Sequence, residues 1–271
     1  MSVARPIKVS VVIPCYNSSA FLHETVESVV AQTLPEMEVI FVDDGSVDDT
    51  RGVIERLIAR HGDCQMTFSS QENAGVGSAR NRGIAIAHGR YILPVDADDL
   101  IAPNMLETCA CILDTQPQIG LVFTDRQDFG DLEGVWVAGR FDLRRLKYFN
   151  QLSYCSMFRR EMWEAIGGYR VNVSGFADWD FWVAAASRGF RGHHLPVPLL
   201  HHRRRRNSHL ARIMGDYERL YANIILNNRE VYSEVEIAEA NRFLSSGDRV
   251  ALLRLSKLIF ARSYPLPRSA P

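Results

Sequence analysis

The strongest constraint on this chain is a rhythm: short apolar runs alternate with helix-length segments, and each run ends in a polar cluster. Residues 8–14, Lys-Val-Ser-Val-Val-Ile-Pro, form a β-branched run closed by Pro14, the pattern of a strand covered on both faces. Phe21, Leu22, Val26, Val29 and Val30 then recur at helical spacing, with Ser18 or Ser19 as the expected N-cap. Further strands are expected at 38–43, near 65–69, at 90–95 and at 119–124. Helices are expected from about Asp48-Asp49-Thr50, over 78–88 and over 104–114. Such alternation implies right-handed βαβ units and a mostly parallel central sheet flanked by helices. In the second half, a helix rich in Trp and Phe is expected within 174–188, a strand at 196–200, and two or three helices beyond about 210.

Ligands of such sheets bind beyond the carboxyl ends of the strands. The polar clusters fall there: Tyr16-Asn17, Asp43-Asp44, Asn73-Ala74-Gly75 and Asp96 to Asp99. If the last cluster stays extended, Asp96 and Asp98 point the same way, and two like charges so close call for a cation. Hard oxygen ligands suit Mg²⁺ or Mn²⁺ shared with phosphates. The same residues also make an acidic turn capping the helix near 104, and both readings stand. Asp44 either accepts hydrogen bonds from a base or ribose, or belongs to a turn leading into a helix. The run from Asn73 to Arg80 is not a dinucleotide fingerprint, because Arg80 stands where a third glycine belongs. A glycine-rich turn entering a helix can still receive phosphate or ribose.

Composition narrows the classes. Among 271 residues the formal net charge is −1, which argues against broad nucleic-acid binding. No stretch approaches the roughly 20 apolar residues of a membrane span, and the N-terminal MSVARPIKVSVVIP does not read as a signal peptide. The five cysteines show neither metal-ligand spacing nor a disulfide framework, which suits reduced thiols in a cytoplasmic protein. Val250, Leu252, Leu253, Leu255, Leu258, Ile259 and Phe260 interleave with Arg249, Arg254, Lys257 and Arg262. Segment 249–262 therefore reads either as a helix packed on protein or as a basic amphipathic helix on an anionic membrane, at the inner face of the plasma membrane.

Taken in order, VSVVIPCYN (9–17), FVDDGSVDDT (41–50), NAGVGSARNRGIAIAHGRYILPVDADD (73–99), SMFRREMWEAIGGYR (156–170) and GFADWDFWVAAASRG (175–189) resemble the inverting glycosyltransferase family 2, which has the GT-A fold. The similarity spans about residues 8–209. It implies an α/β domain over 1–209, with a nucleotide-sugar-binding part (1–125) and an acceptor and catalytic part (126–209), and a C-terminal helical extension over 210–271. It further implies that Pro14, Tyr16 and Asn17 line the nucleotide pocket, with Asn73 and Gly75 on the donor side. Asp44 would face the base, and Arg80 would lie near base or phosphates. Asp96 and Asp98 would form the D-x-D pair, Asp96 near the ribose and Asp98 on a divalent metal ion, Mn²⁺ or Mg²⁺. Asp178 would be the catalytic base. Two positions depart from the family: Ala177 replaces the usual Glu before the base, and Arg205 stands where a basic-loop His is common, with His201 and His202 just before it. Arg205 would then hold the diphosphate.

The reaction so implied moves a sugar from a nucleoside-diphosphate sugar, a UDP-sugar by default, to a hydroxyl of a saccharide or lipid-linked acceptor, with inversion. Trp179 is a candidate for stacking on the acceptor, although rings at such spacing are more often core. The alternatives are a sugar nucleotidyltransferase, which Pro-Cys-Tyr-Asn after the first strand suits poorly, and a non-catalytic binding protein on a decayed site.

Overall fold

The computed structural model of the chain describes residues 6–205 and 216–247. The strands are β1 (Val9–Cys15), β2 (Met37–Asp43), β3 (Gln65–Ser70), β4 (Tyr91–Pro94), β5 (Leu100–Ile101), β6 (Ile119–Gly130), β7 (Gly134–Trp136), β8 (Met157–Arg159) and β9 (Arg191–Arg204). The helices are α1 (Leu22–Val30), α2 (Thr50–Arg60), α3 (Val76–Ile86), α4 (Met105–Thr115), α5 (Leu143–Leu146), α6 (Arg160–Ile166), α7 (Ala177–Ser187), α8 (Tyr217–Asn227) and α9 (Glu234–Ser246). One sheet runs in the order β3-β2-β1-β4-β8-β6-β9-β5, with β7 beside β6.

The first half is parallel, as its alternating pattern implies: β1 pairs with β2 and β4, and β2 with β3. The second half is mixed. β8 is antiparallel to both β4 and β6, β6 and β9 run parallel, and two-residue β5 closes the edge antiparallel to β9. The strands expected at 119–124 and 196–200 are longer than their apolar centres. Their polar ends pair across the sheet from Arg126↔Leu200 to Gly130↔Arg204.

Alternate side chains feed two apolar layers. Val12, Ile40, Val42, Ile92, Leu121 and Phe158 face one core, which continues into α7, α8 and α9. Val9, Val11, Ile13, Phe41, Leu93 and Met157 face the other, under α1 and α4. The described part of the extension thus shares a core with the helix that carries Asp178. Gly83 lets α3 lie against the sheet: a Cβ there would sit 2.5 Å from Val12 Cγ1.

Among the described residues no helix is long and apolar enough to cross a membrane. Segment 249–262 lies outside the described residues.

Candidate active site

The rim begins where β1 outruns its neighbour. β4 stops opposite Val12, whereas β1 continues to Cys15 beside β2. Pro14 is buried in this overhang, where its missing N–H costs no pairing with β4. Tyr16 stands half exposed just beyond. Asn17 takes a left-handed backbone (φ 50°), accepts from Val47 N at 2.9 Å and donates its own N–H to Ser46 Oγ at 2.9 Å. The serines expected to cap α1 do other work, for the residue before α1 is Phe21, which makes no side-chain cap. Ser18 N donates to Thr50 Oγ1 at 2.7 Å, and the Ser19 hydroxyl donates to Asp48 at 2.6 Å. These bonds join the loops after β1 and β2 into one wall.

Asp44 is buried, and its carboxylate is engaged by protein donors. It accepts from Gln71 Nε2 (2.7 Å), Ala74 N (2.8 Å) and Gly75 N (2.9 Å). A carboxylate at the start of α3 also complements the helix dipole. The Gly75 N–H expected to receive phosphate is therefore taken, and Gly75 instead supplies the turn (φ 87°) into α3. Asn73 lies in the same turn, its backbone close against Gly45. Arg80, on α3, is buried between the rings of Tyr154 (5.1 Å) and Tyr169 (5.7 Å) and pairs with Asp96 at 2.8 Å. Its guanidinium is not exposed at the rim but is turned to Asp96.

The D-x-D segment is a tight turn, not the extended segment considered from sequence: Asp99 N donates to Asp96 O at 3.1 Å. Asp96 and Asp98 therefore meet different arginines, Arg80 and Arg205. Arg205 Nη2 lies 2.5 Å from Asp98 Oδ2 and over the Phe21 ring. Burial, then the neighbouring Asp96 charge, pushes the Asp98 carboxyl up, while Arg205 and the more distant His202 oppose this. Asp99 fixes the turn. It accepts from the Tyr154 hydroxyl at 2.5 Å and from Arg203 N at 2.6 Å, which ties the turn to the end of β9.

Asp178 stands in the first turn of α7, still partly open to solvent. Burial raises its carboxyl above the usual range. The Arg80 charge, a hydrogen bond from Asn150 (Nδ2–Oδ2 2.9 Å) and the Trp179 N–H pull it back, and Asp96 adds a smaller upward push. Asp178, Arg80 and Asp96 thus share one electrostatic environment. Asp96 and Asp98 supply hard carboxylate oxygens on one turn, a donor set that suits Mg²⁺ or Mn²⁺ when phosphate oxygens and water complete the shell. Among the described residues no group of three or more His, Cys, Asp or Glu could hold a metal by itself.

The family model for glycosyl transferase family 2 matches residues 10–167. The chain belongs to this family. It is 30% identical over 186 residues to the chondroitin synthase of Escherichia coli, covering 67% of this chain and 27% of the synthase. This chain thus spans about a quarter of that relative's length. In fold it resembles Staphylococcus aureus TarS residues 1–349 in complex with UDP-GlcNAc (TM-score 0.69, 22% identity, covering 95% of this chain and 82% of the other). It also resembles the Pyrobaculum calidifontis mannosyltransferase PcManGT in complex with GDP-Man and Mn²⁺ (TM-score 0.64, 21% identity, 95% and 77%).

One expectation for the transferase is corrected. Trp179 is 2% exposed, stacked on Tyr221 and packed edge-on against Phe176, and its indole N–H donates to Leu146 O. With its faces covered, it is a core ring and offers no platform to an acceptor. Asn150, Tyr154 and Arg203 were not singled out from sequence. Asn150 and Tyr154 are isolated residues without motif spacing, which only the fold brings to the site; Arg203 lies in the basic run 201–206, whose pattern does not single it out.

Proposed function

We propose that this transferase moves a sugar from a nucleoside-diphosphate sugar, with uridine as the base, to an acceptor hydroxyl with inversion at the anomeric carbon. One observation carries the reading. Buried Arg80 pairs with Asp96 of the D-x-D turn, its charge acts on Asp178, and its helix packs on α7 where Gly77 meets Ala177, which supports a diphosphate site and a base on one rim. The UDP-GlcNAc complex of TarS supports uridine, and the chondroitin synthase relative supports a saccharide acceptor in polysaccharide or glycoconjugate synthesis.

Pro14, Tyr16 and Asn17 line the nucleotide side. Asp44 shapes the wall at the end of β2 and, with Asn73 and Gly75, holds the loop facing the donor. Asp96 and Asp98 would hold the divalent ion, Mn²⁺ or Mg²⁺; when bound, it supplies charge neutralisation to the departing diphosphate. Arg205 adds positive charge beside Asp98 at the mouth of the site. Asp178 takes the proton of the acceptor hydroxyl as that oxygen attacks the anomeric carbon, and the bond to the diphosphate breaks on the opposite face. Its raised pKa favours this proton transfer, while Arg80 and Asn150 oppose the rise and favour the ionised form.

The test is Asp178→Asn. Release of UDP from UDP-sugars should fall by at least about a hundredfold, with UDP affinity within twofold of wild type. Full turnover in the variant overturns the base assignment. For segment 249–262 we propose peripheral contact with an anionic membrane carrying a lipid-linked acceptor, on its basic amphipathic pattern. Reversing Arg249, Arg254, Lys257 and Arg262 to Glu should abolish sedimentation with anionic vesicles; unchanged sedimentation refutes the contact.

A further inference from the structure

Two residues beyond Asp178, on the same helix, a second carboxylate is almost fully buried. Asp180 is 1% exposed. It does not face the rim but meets the end of α8. Its Oδ1 accepts from Asn228 Nδ2 (2.9 Å) and Asn227 Nδ2 (3.1 Å), and Arg170 Nη1 reaches Oδ2 at 3.0 Å and Asn228 Oδ1 at 3.0 Å. A carboxylate at a helix C-terminus opposes the helix dipole, so this contact needs its three polar partners. Beside it Asn172 and Asn227 exchange reciprocal amide hydrogen bonds at 3.0 Å.

The same extension grips a second segment. The hydroxyls of Tyr221, on α8, and Tyr232, before α9, both donate to Lys147 O at 2.9 Å. Tyr148 donates to Glu236 Oε1 at 2.9 Å, and Glu236 closes the capping box of α9 with Ser233. Three residues after Lys147 comes Asn150, whose amide holds the Asp178 carboxylate. Trp179 N–H to Leu146 O joins the two gripped segments. The base and its hydrogen-bond partner are therefore each anchored, at short range, to the helices that follow β9.

We propose that α8 and α9 form a clamp that positions the base: Asp180 fixes α7, and Tyr221 and Tyr232 fix the segment that presents Asn150 to Asp178. Asp180, Tyr221 and Tyr232 are then positioning residues, which act on the reaction through Asp178 and Asn150. The inference rests on Asp178 being the base.

The test uses the full chain and two variants, Tyr221→Phe/Tyr232→Phe and Asp180→Asn. Carboxyl-carbon NMR follows the titration of Asp178, and calorimetry follows UDP binding with Mn²⁺. Release of UDP from UDP-GlcNAc with Mn²⁺ reads turnover. The groups facing Asp178 are Arg80 from α3, Asp96 from the turn after β4, Tyr169 and Asn150; neither variant changes any of them. Loosening the Asn150 bond moves the Asp178 titration to higher pH in both variants, with kcat about tenfold lower on the acid side of its pH profile and UDP affinity within twofold. The sign is decisive for Asp180→Asn, because removing a nearby negative charge alone would move the titration to lower pH. An unmoved Asp178 titration in the tyrosine variant, a downward shift in Asp180→Asn, or a parallel loss of UDP affinity and turnover overturns the clamp. A wild-type chain that neither binds UDP nor releases it from UDP-GlcNAc refutes the transferase reading for that donor, and the NMR titration still decides the clamp.

Discussion

Replacing Asn150 by Ala removes its hydrogen bond to the Asp178 carboxylate, together with the 3.3 Å bond that its Oδ1 accepts from Leu152 N in the connection between α5 and β8. A hydrogen bond to a charged group contributes about 1.5–3 kcal/mol. Asp178 retains some solvent contact, so water replaces part of the loss and the low end applies. About 1.4 kcal/mol is a factor of ten in an equilibrium constant. The bond favours the ionised form, so its loss favours the protonated, inactive base. Burial, which already raises the carboxyl, is then opposed by Arg80 and the Trp179 N–H alone. The acid limb of the kcat–pH profile should move to higher pH. Turnover on the acid side should fall roughly tenfold, and the difference should close at alkaline pH, where Asp178 is ionised in both proteins. The assay is UDP release from UDP-GlcNAc with Mn²⁺ across pH, with UDP binding measured in parallel. A uniform loss at all pH values, or an acid limb that stays in place, refutes the role given to Asn150.

Other outcomes follow from the same contacts. Gly83→Ala places a Cβ 2.5 Å from Val12 and 3.1 Å from Val42 and should cost about 1–3 kcal/mol, seen as a melting temperature several degrees lower. Glu38 is fully buried in β2. Burial would raise its carboxyl, but Ser10 and the His88 N–H, each at 2.6 Å, hold it below the usual range. Its contribution is present above the unfolded-state pKa and lost as pH falls through the lower folded value, so Glu38→Gln should flatten the acid limb of melting temperature against pH. Arg205→Ala should weaken UDP binding in calorimetry with little change in melting temperature, because its partly exposed pair with Asp98 adds at most about 1 kcal/mol to stability. Chelation of divalent ions should abolish UDP release, and Mn²⁺ should restore it.

The parallel half of the fold is legible because β1, β2 and β4 are buried on both faces and therefore mostly apolar, with β3 at their partly exposed edge. β1, β2, β3 and β4 lie within a residue or so of their expected positions, and α3 begins two residues early only because Gly75 opens it from a left-handed backbone. The outer half is not. The far ends of β6 and β9 carry Arg126, Asp128, His202 and Arg204, a composition that reads as loop. In the fold Asp128 pairs with Arg126 at 2.8 Å and hydrogen-bonds His202 at 3.2 Å, so polar contacts replace apolar burial. In the proposed site, Asp96, Asp98 and Asp178 stand in recognisable motifs. Trp179 is ambiguous from sequence because a core ring and a stacking ring share one spacing. Asn150 and Tyr154 depend on contacts 28 and 55 residues away in sequence, beyond the reach of local pattern.

A crystal of the wild-type protein soaked with UDP and Mn²⁺ puts the heart of this account to the test. The account predicts that the ion lies between Asp98 and the two phosphate groups, with uracil against the wall built from Tyr16 and Asn17 and Asp178 across the site from the terminal phosphate. A nucleotide bound away from that turn, or a metal ion that Asp98 does not touch, would contradict it.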